Sequence, residues 1–500
     1  MWYIQSNLIF YGLTISFHRS KEVFVCSLIV NLRCVFWVAP SIRGGGIDSP
    51  RPASQRAAAF ILTAAMLTTL AAPAFAGTWY IEDGDITVKA GETKGTNKVS
   101  QGANQEVEDT DTIITNRNEG TASSNTVTID ANGKNDKVEV TLKDVNIDTS
   151  SRNKAAVSVT GSGNTTIKLD GDNHLTGGNG IYSNSSGSLT ITGGENDSLT
   201  AQGGDSRNGI YSVSGDVTIS GGKVTATGGN STGSYGSGGD GIHSGSLTIS
   251  GGTVTATGGG STGSNGLGGR GICSDSGGVT ISGGSTVTAN GGNGSSGGDG
   301  ISSSSGVTVS DGTVTANGGN GGNVSGDGIR SGGGVTISGN TVNAAGGNGG
   351  KVGGYGICSF DRVAISGGTV EAAGGNGSTG GGSGIYSSVI DLSGSLELTA
   401  KAGSPTGKAL LQNGRELDLD TIKDKLGPGA KVTATDADGK VIDQVPIPRP
   451  VEPEKPVIPE ESSSSSDGGS AAPSAPASPL PGLTVTDKDG QRISYTSTQS

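Results

Sequence analysis

The sequence predicts an all-β protein whose main part is a single-stranded, right-handed parallel β-helix. Glycine makes up 93 of the 500 residues and aromatic residues only 4%, which is not the composition of an ordinary globular enzyme. The line GIYSVSGDVTISGGKVTATGGN (209–230) recurs with a period of 28 to 32 residues. Each copy holds three short strand patterns separated by glycine-rich turns, and stacked copies bury a narrow core that a single copy cannot form.

The first strand of each copy begins with Gly-Ile and alternates inward and outward residues. Its inner side is predicted to hold the isoleucine and an unbroken column of serines. These serines are Ser183, Ser212, Ser244, Ser274, Ser303, Ser331, Ser359 and Ser387. The second and third strands contribute inner aliphatic pairs such as Val217 with Ile219 and Val224 with Ala226. An asparagine column after the third strand is expected to bond from coil to coil, with an interruption at Gly260: it comprises Asn230, Asn293, Asn320, Asn348 and Asn376.

Composition divides the chain into seven segments. They are an N-terminal extension (1–50), a signal peptide (51–76), an N-terminal cap with the first coils (77–124), the β-helix (125–400), a C-terminal cap (401–444), a Pro/Ser-rich linker expected to be disordered (445–482) and a tail (483–500). The signal peptide has a basic start, an apolar run and an Ala-Phe-Ala cleavage site. A secreted protein, free or at the cell surface and without membrane insertion of the mature chain, is therefore expected. A short membrane anchor is the alternative, and the extension indicates either a start site assigned too early or an atypical leader.

The charge and the motifs limit the possible functions. The net charge is −12 and no basic patch occurs in the repeats, so nucleic acid is not an expected partner. The chain shows no nucleophile elbow, phosphate loop or zinc-ligand spacing of the usual kinds. We therefore expect no catalytic activity.

The outward side of the first strand is the most varied column of the repeats. It reads Tyr182, Tyr211, His243, Cys273, Ser302, Arg330, Cys358 and Tyr386. Rings on successive coils, about 5 Å apart, could stack on sugar faces. Tyr182, Tyr211, His243 and Arg330 are thus the predicted carbohydrate-binding residues. The alternative is that outward tyrosines simply suit a strand. Cys273 and Cys358 are predicted to be free thiols.

The turn before each Gly-Ile pair places Asp299 and Asp327 on adjacent coils. Two unpaired carboxylates about 5 Å apart would repel, and calcium would relieve that repulsion. Solvated turn aspartates are the alternative. With Arg330 the pair could also imitate a calcium-dependent polysaccharide lyase. The outward threonine rows, such as Thr253 and Thr255, resemble an ice-binding face, with strand propensity as the alternative explanation.

The run NTVTIDANGKNDKVEVTLKDVNIDTSSRNKAAVSVTGSGNTTIKLDGDNHLTGGNGI (125–181) is followed by units such as VTISGGKVTATGGN (217–230). Together they resemble the carbohydrate-binding β-helix domains of clostridial secreted and surface proteins, over roughly residues 79 to 400. The resemblance implies a pectate-lyase-like fold, an association with calcium, and binding of acidic plant or cell-wall polysaccharides without established catalysis. The sequence thus predicts a non-catalytic polysaccharide-binding protein, with a structural adhesin or stalk as the alternative.

Overall fold

The computed structural model describes three short strands near the N-terminus and residues 76–448 except 119. The three strands, Asn7–Phe10, Leu13–Ser20 and Val23–Ser27, form an antiparallel sheet. Residues 76–448 form a right-handed parallel β-solenoid of about 11 turns, which confirms the predicted fold class. The rest of the N-terminal extension, the signal peptide up to residue 75, and the linker and tail beyond residue 448 lie outside the described residues.

Each turn of the solenoid contributes strands to three faces, named A, B and C. Face A holds the Gly-Ile strands, which stack in parallel register. Its strands are Ile86–Ala90, Val127–Ala131, Val157–Gly161, Ile181–Ser183, Ile210–Ser212, Ile242–Ser244, Ile272–Ser274, Ile301–Ser303, Ile329–Ser331, the start of Ile357–Ala373, the start of Ile385–Leu392, and Leu410–Gln412.

Faces B and C carry the second and third strands of each turn. Face B comprises Thr78–Tyr80, Ile113–Thr115, Lys137–Lys143, Asn164–Asp170, Leu189–Thr192, Val217–Ile219, Leu247–Ile249, Val279–Ile281, Val307–Val309 and the start of Val335–Ala345. Face C comprises Asn146–Asp148, Asp172–Gly177, Ser198–Gly203, Lys223–Thr227, Thr253–Thr257, Thr286–Asn290, Thr313–Asn317, Leu396–Lys401 and Lys431–Thr435. Three strands run from one face to the next: Val335–Ala345, Ile357–Ala373 and Ile385–Leu392.

Both ends of the solenoid are covered by antiparallel pairs. At the N-terminal end, Ile86–Ala90 pairs with Asn97–Gln101, which pairs with Asn104–Asp109. The Trp79 indole Nε1 donates a 2.7 Å hydrogen bond to Asp109 Oδ2, which ties this cap to the first turn.

At the C-terminal end, a 3-10 helix (Leu419–Lys425) precedes the hairpin of Lys431–Thr435 and Val441–Pro446. The segment ELDLDTIKDKLG (416–427) is typical of a short helix and AKVTATDADGKVID (430–443) of a hairpin, and both elements occur there. The remaining short elements are Ile81–Asp83 and Ser150–Arg152 (3-10 helices) and the strands Gly294–Ser296, Gly321–Val324 and Arg415–Glu416. In the described part of the chain, helices are too short or too polar to cross a bilayer.

The interior follows the alternation predicted from the repeats. The isoleucines of face A and the aliphatic pairs of faces B and C are buried. The serine column is buried beside them. Ser274 Oγ, for example, contacts the carbonyl oxygens of Gly245 and Gly277 at 2.8 and 2.9 Å. These hydrogen bonds offset the cost of burying a hydroxyl, so a polar column is tolerated in a narrow core.

The asparagine column bonds from coil to coil through the backbone of the next turn. The side-chain oxygens of Asn293, Asn320 and Asn348 each accept the N–H of the next asparagine, at 2.7 to 2.9 Å. Asn230 likewise accepts the N–H of Gly260 at 2.7 Å. A second column of this kind occupies the turn before Gly-Ile, where Asn179 accepts the N–H of Asn208. Each such bond therefore reinforces one step between coils.

Replacing Gly260 with asparagine is expected to raise the free energy of unfolding by about 1 kcal/mol, the value of one added hydrogen bond. A Cβ at this position meets no atom closer than 3.5 Å. The new side chain would occupy the one glycine position in the asparagine column, beside Asn293. Denaturant unfolding measures the change, with Gly260→Ala as the control. Equal stability of the two variants would contradict the role assigned to the column.

Candidate binding groove on face A

A groove lies beside the middle coils of face A, against a wall of stacked loops. After the third strand, successive coils carry an extra loop, and these loops pair in parallel: Ser237 with Leu267, Leu267 with Ser296, and Val324 with Val352. Leu267 and Val324 from this wall, together with Arg270 and Arg330, line a cavity of about 530 Å³. Of the predicted binding column, Arg330 therefore lies beside the wall.

The predicted aromatic row forms, but its rings are tilted. The ring centroids of Tyr182 and Tyr211 lie 5.7 Å apart at 51°, and those of Tyr211 and His243 lie 5.0 Å apart at 76°. All three side chains are half-buried. Burial is the first cause that raises the pKa of Tyr211, and nearby Tyr182 and carboxylates add to it. The three rings therefore do not form one flat surface.

A second aromatic pair lies toward the C-terminal end of face A. Tyr355 and Tyr386 stack with centroids 5.1 Å apart and an angle of 18°. Sequence analysis does not bring them together, because Tyr355 belongs to the turn column and Tyr386 to the strand column of the next coil. A comparison of the two columns one coil apart would have found the pair.

Cys273 and Cys358 are free, as predicted, but they are not surface residues. Cys273 is 2% exposed and Cys358 is 1% exposed. The strand alternation directs both side chains away from the core, but neighbouring side chains cover them: Arg270 Nη1 lies 3.2 Å from Cys273 Sγ. Burial raises the pKa of each thiol to about 12. The outward column is thus interrupted by two neutral, covered thiols.

Asp299 and Asp327 are neither unpaired nor solvated, in contrast to the expectation from the sequence. Arg330 contacts both: its Nε lies 3.2 Å from Asp299 Oδ2, and its Nη2 lies 2.8 Å from Asp327 Oδ2. The contact between Arg330 and Asp327 is an ion pair whose geometry is not that of a hydrogen bond. The other carboxylate oxygens accept the backbone N–H groups of Asp327 and Tyr355 at 2.8 and 2.7 Å. Asp299, Asp327 and Arg330 therefore form one ion-paired cluster, in which Arg330 joins the two carboxylates.

The electrostatics of this cluster centre on Asp327. Burial raises the pKa of Asp327 to about 7, the charge of Asp299 adds to the rise, and Arg330 opposes it. Arg330 supplies the positive charge that calcium was predicted to provide. Calcium at Asp299 and Asp327 stays a prediction, but repulsion between unpaired carboxylates no longer supports it.

His243 lies between two carboxylates. Its Nδ1 is 2.7 Å from Asp240 Oδ2 and its Nε2 is 2.7 Å from Asp275 Oδ2. Burial acts against the charged form of His243, but the hydrogen bonds and charges of the two aspartates outweigh it and raise its pKa. The sequence does not indicate Asp275 as a site residue, because Asp275 occupies a Ser-Asp-Ser turn that belongs to no repeated column.

Comparisons with known proteins do not identify a relative. No protein-family model, curated protein or solved structure matches this chain. The resemblance to clostridial domains is therefore supported for the β-helix fold, and its functional part stays a prediction. The proposed function therefore rests on the geometry of the groove.

Proposed function

We propose that this protein is a secreted or cell-surface polysaccharide-binding protein without catalytic activity, and that the groove on face A holds the glycan. The observation that carries the proposal is the pair of aromatic groups on one face. Tyr182 and Tyr211 lie toward one end, and Tyr355 and Tyr386 lie toward the other. Between these groups lie hydrogen-bonding side chains, among them Arg330.

This arrangement suits a polymer better than a single sugar. The eight coils from Ile181 to Ile385 span seven steps between strands, or roughly 34 Å. Aromatic rings bind the C–H faces of sugars, and a few polar groups fix their orientation. An extended chain could therefore contact both aromatic groups at once, while a monosaccharide could contact only one.

The charges of the groove favour a neutral glycan over a strongly acidic one. Its charged side chains are Asp240, Asp275, Asp299 and Asp327 against His243, Arg270 and Arg330. Because His243 and Arg330 are already paired with these aspartates, a uronate would have to displace a carboxylate to reach them. Polygalacturonate, the acidic class that the resemblance implies, therefore needs calcium as a bridge or binds more weakly than a neutral glucan.

The test is a glycan array followed by calorimetry with the selected polysaccharide, with and without calcium. Tyr211→Ala is expected to weaken binding about fivefold, since one aromatic contact contributes about 1 kcal/mol. Tyr235→Ala is the matched control, because Tyr235 is 80% exposed and lies outside the row. Equal losses in both variants, or no selective retention of any glycan, would contradict the proposal.

A structural stalk is the second candidate, and the continuous hydrogen-bonded columns favour it. They reinforce successive coils whether or not a ligand is bound. A stalk predicts no selective binding on the array and no effect of Tyr211→Ala. Release of unsaturated product from polygalacturonate in the presence of calcium would instead indicate a lyase that uses Asp299, Asp327 and Arg330.

A further inference from the structure

Three metal-ligating side chains of different chemistry meet on face A. Asp240 and His243 belong to one coil, and the parallel register places Cys273 of the next coil beside His243. A carboxylate oxygen, a ring nitrogen and the thiol sulfur all lie within 4.8 Å of one another. No sequence motif indicates this cluster, because Asp240 and His243 are three residues apart and Cys273 follows thirty residues after His243.

Both ring nitrogens of His243 contact carboxylates, so Nδ1 can bind a metal only after it loses its proton. A neutral imidazole carries a single N–H, yet both nitrogens face carboxylate oxygens at 2.7 Å. If Nε2–H donates to Asp275, the lone pair of Nδ1 points toward Asp240 and Cys273. A carboxylate that orients a histidine in this way is typical of metal sites.

The other two ligands are also held in place. Asp240 Oδ1 accepts the backbone N–H of Arg270 at 2.6 Å, which leaves Oδ2 directed at the cluster. The Arg270 guanidinium donates to Cys273 Sγ at 3.2 Å, and Sγ also lies 3.4 Å from Asp275 Oδ1. Each of the three side chains thus has a partner that fixes the orientation a metal would need.

We propose that Asp240 Oδ2, His243 Nδ1 and Cys273 Sγ bind a divalent ion of the zinc class. One oxygen, one nitrogen and one sulfur donor suit zinc, whereas calcium prefers oxygen ligands alone. A zinc ion would replace the thiol proton and the second imidazole proton, so the net charge of the cluster would not change. Asp240 and Arg270 line the groove, so the cluster borders on it through Asp240.

The test uses the full chain after removal of metals with a chelator, titrated with cobalt(II) as a spectroscopic substitute for zinc. We expect a near-ultraviolet thiolate-to-cobalt charge-transfer band that zinc abolishes by displacement. Cys273→Ala should lose this band. Cys358→Ala is the matched control and should keep it, because Cys358 occupies the same column with equal burial but has no histidine beside it.

Calorimetry with zinc supplies the second measurement. Asp275→Asn is expected to weaken zinc binding about 10- to 100-fold, as loss of an orienting carboxylate does in other sites. His243→Gln should weaken it at least as much. The absence of a charge-transfer band in the unaltered protein, or zinc affinity retained by His243→Gln, would overturn the proposal. The unaltered protein alone decides the first outcome, so the test does not depend on the folding of any variant.

Discussion

Replacing Gly300 with alanine is expected to lower the free energy of unfolding of the solenoid by about 3 kcal/mol, the upper part of the range for overpacking. A Cβ at Gly300 would lie 2.6 Å from the carbonyl oxygen of Gly328, 2.7 Å from the amide nitrogen of Asn317 and 3.0 Å from the carbonyl oxygen of Ala289. All three are backbone atoms of neighbouring strands, so none of them can rotate away.

The same close approach explains why glycine precedes isoleucine in each repeat. The equivalent glycines, such as Gly271 and Gly356, meet backbone atoms at 2.6 to 3.0 Å. Because each coil is stabilised by its neighbours, a clash at one rung weakens the coupling of the coils on either side.

Denaturant unfolding followed by circular dichroism measures the loss for Gly300→Ala. Gly322→Ala is the control, since a Cβ there meets no atom closer than 3.8 Å. Equal stability of the two variants would show that the turn can relax and that the clash does not govern this position.

Replacing Arg330 with methionine is expected to destabilise the protein by about 3 kcal/mol at neutral pH, the low end of the range for breaking a buried ion pair. The substitution leaves Asp327, whose side chain is 2% exposed, and Asp299, at 10%, without their cation. The low end applies because the Arg330 side chain is itself 36% exposed. Arg362→Met is the control: it removes an exposed ion pair with Asp391 and should cost no more than about 1 kcal/mol.

The loss caused by Arg330→Met should shrink in acid. The folded-state pKa of Asp327 is raised from 3.8 to about 7, so its contribution to stability is fully present at low pH and declines as the pH rises through that window. Removing Arg330 removes the group that opposes this rise, and the decline should become steeper. Unfolding measured between about pH 4 and pH 7 tests the sign. A loss that does not change with pH would show that the carboxylates are not its source.

Much of the fold could be predicted from the repeats. The isoleucine and serine columns lie inside as expected, because inward and outward positions alternate strictly along a strand and every copy repeats the same phase. The hairpin and the short 3-10 helix of the C-terminal end also lie where the sequence places them. The glycine before each isoleucine was recognisable in the sequence as part of the repeat. Only the structure shows that backbone atoms of neighbouring coils leave no room for a side chain at that glycine.

Less of the candidate site than of the fold could be predicted from the sequence. The sequence predicts the column that contains Tyr182, Tyr211 and His243, but only the structure shows that its rings are tilted against one another. Asp275 belongs to no column, and its contact with His243 became visible only in the structure. The sequence predicts calcium at Asp299 and Asp327, but it does not predict that Arg330 lies between them. The direction of a long side chain is not encoded in a strand pattern.

The sequence by itself determined the coil, its period and which residues face the core. These features follow from local backbone geometry, and repetition applies the same geometry in every turn. Only the tertiary structure decided that Cys273 and Cys358 are covered, that Arg330 joins two carboxylates and that His243 lies between two others. Those contacts join side chains from different coils, and they depend on rotamers and loop positions that no single copy of the repeat contains.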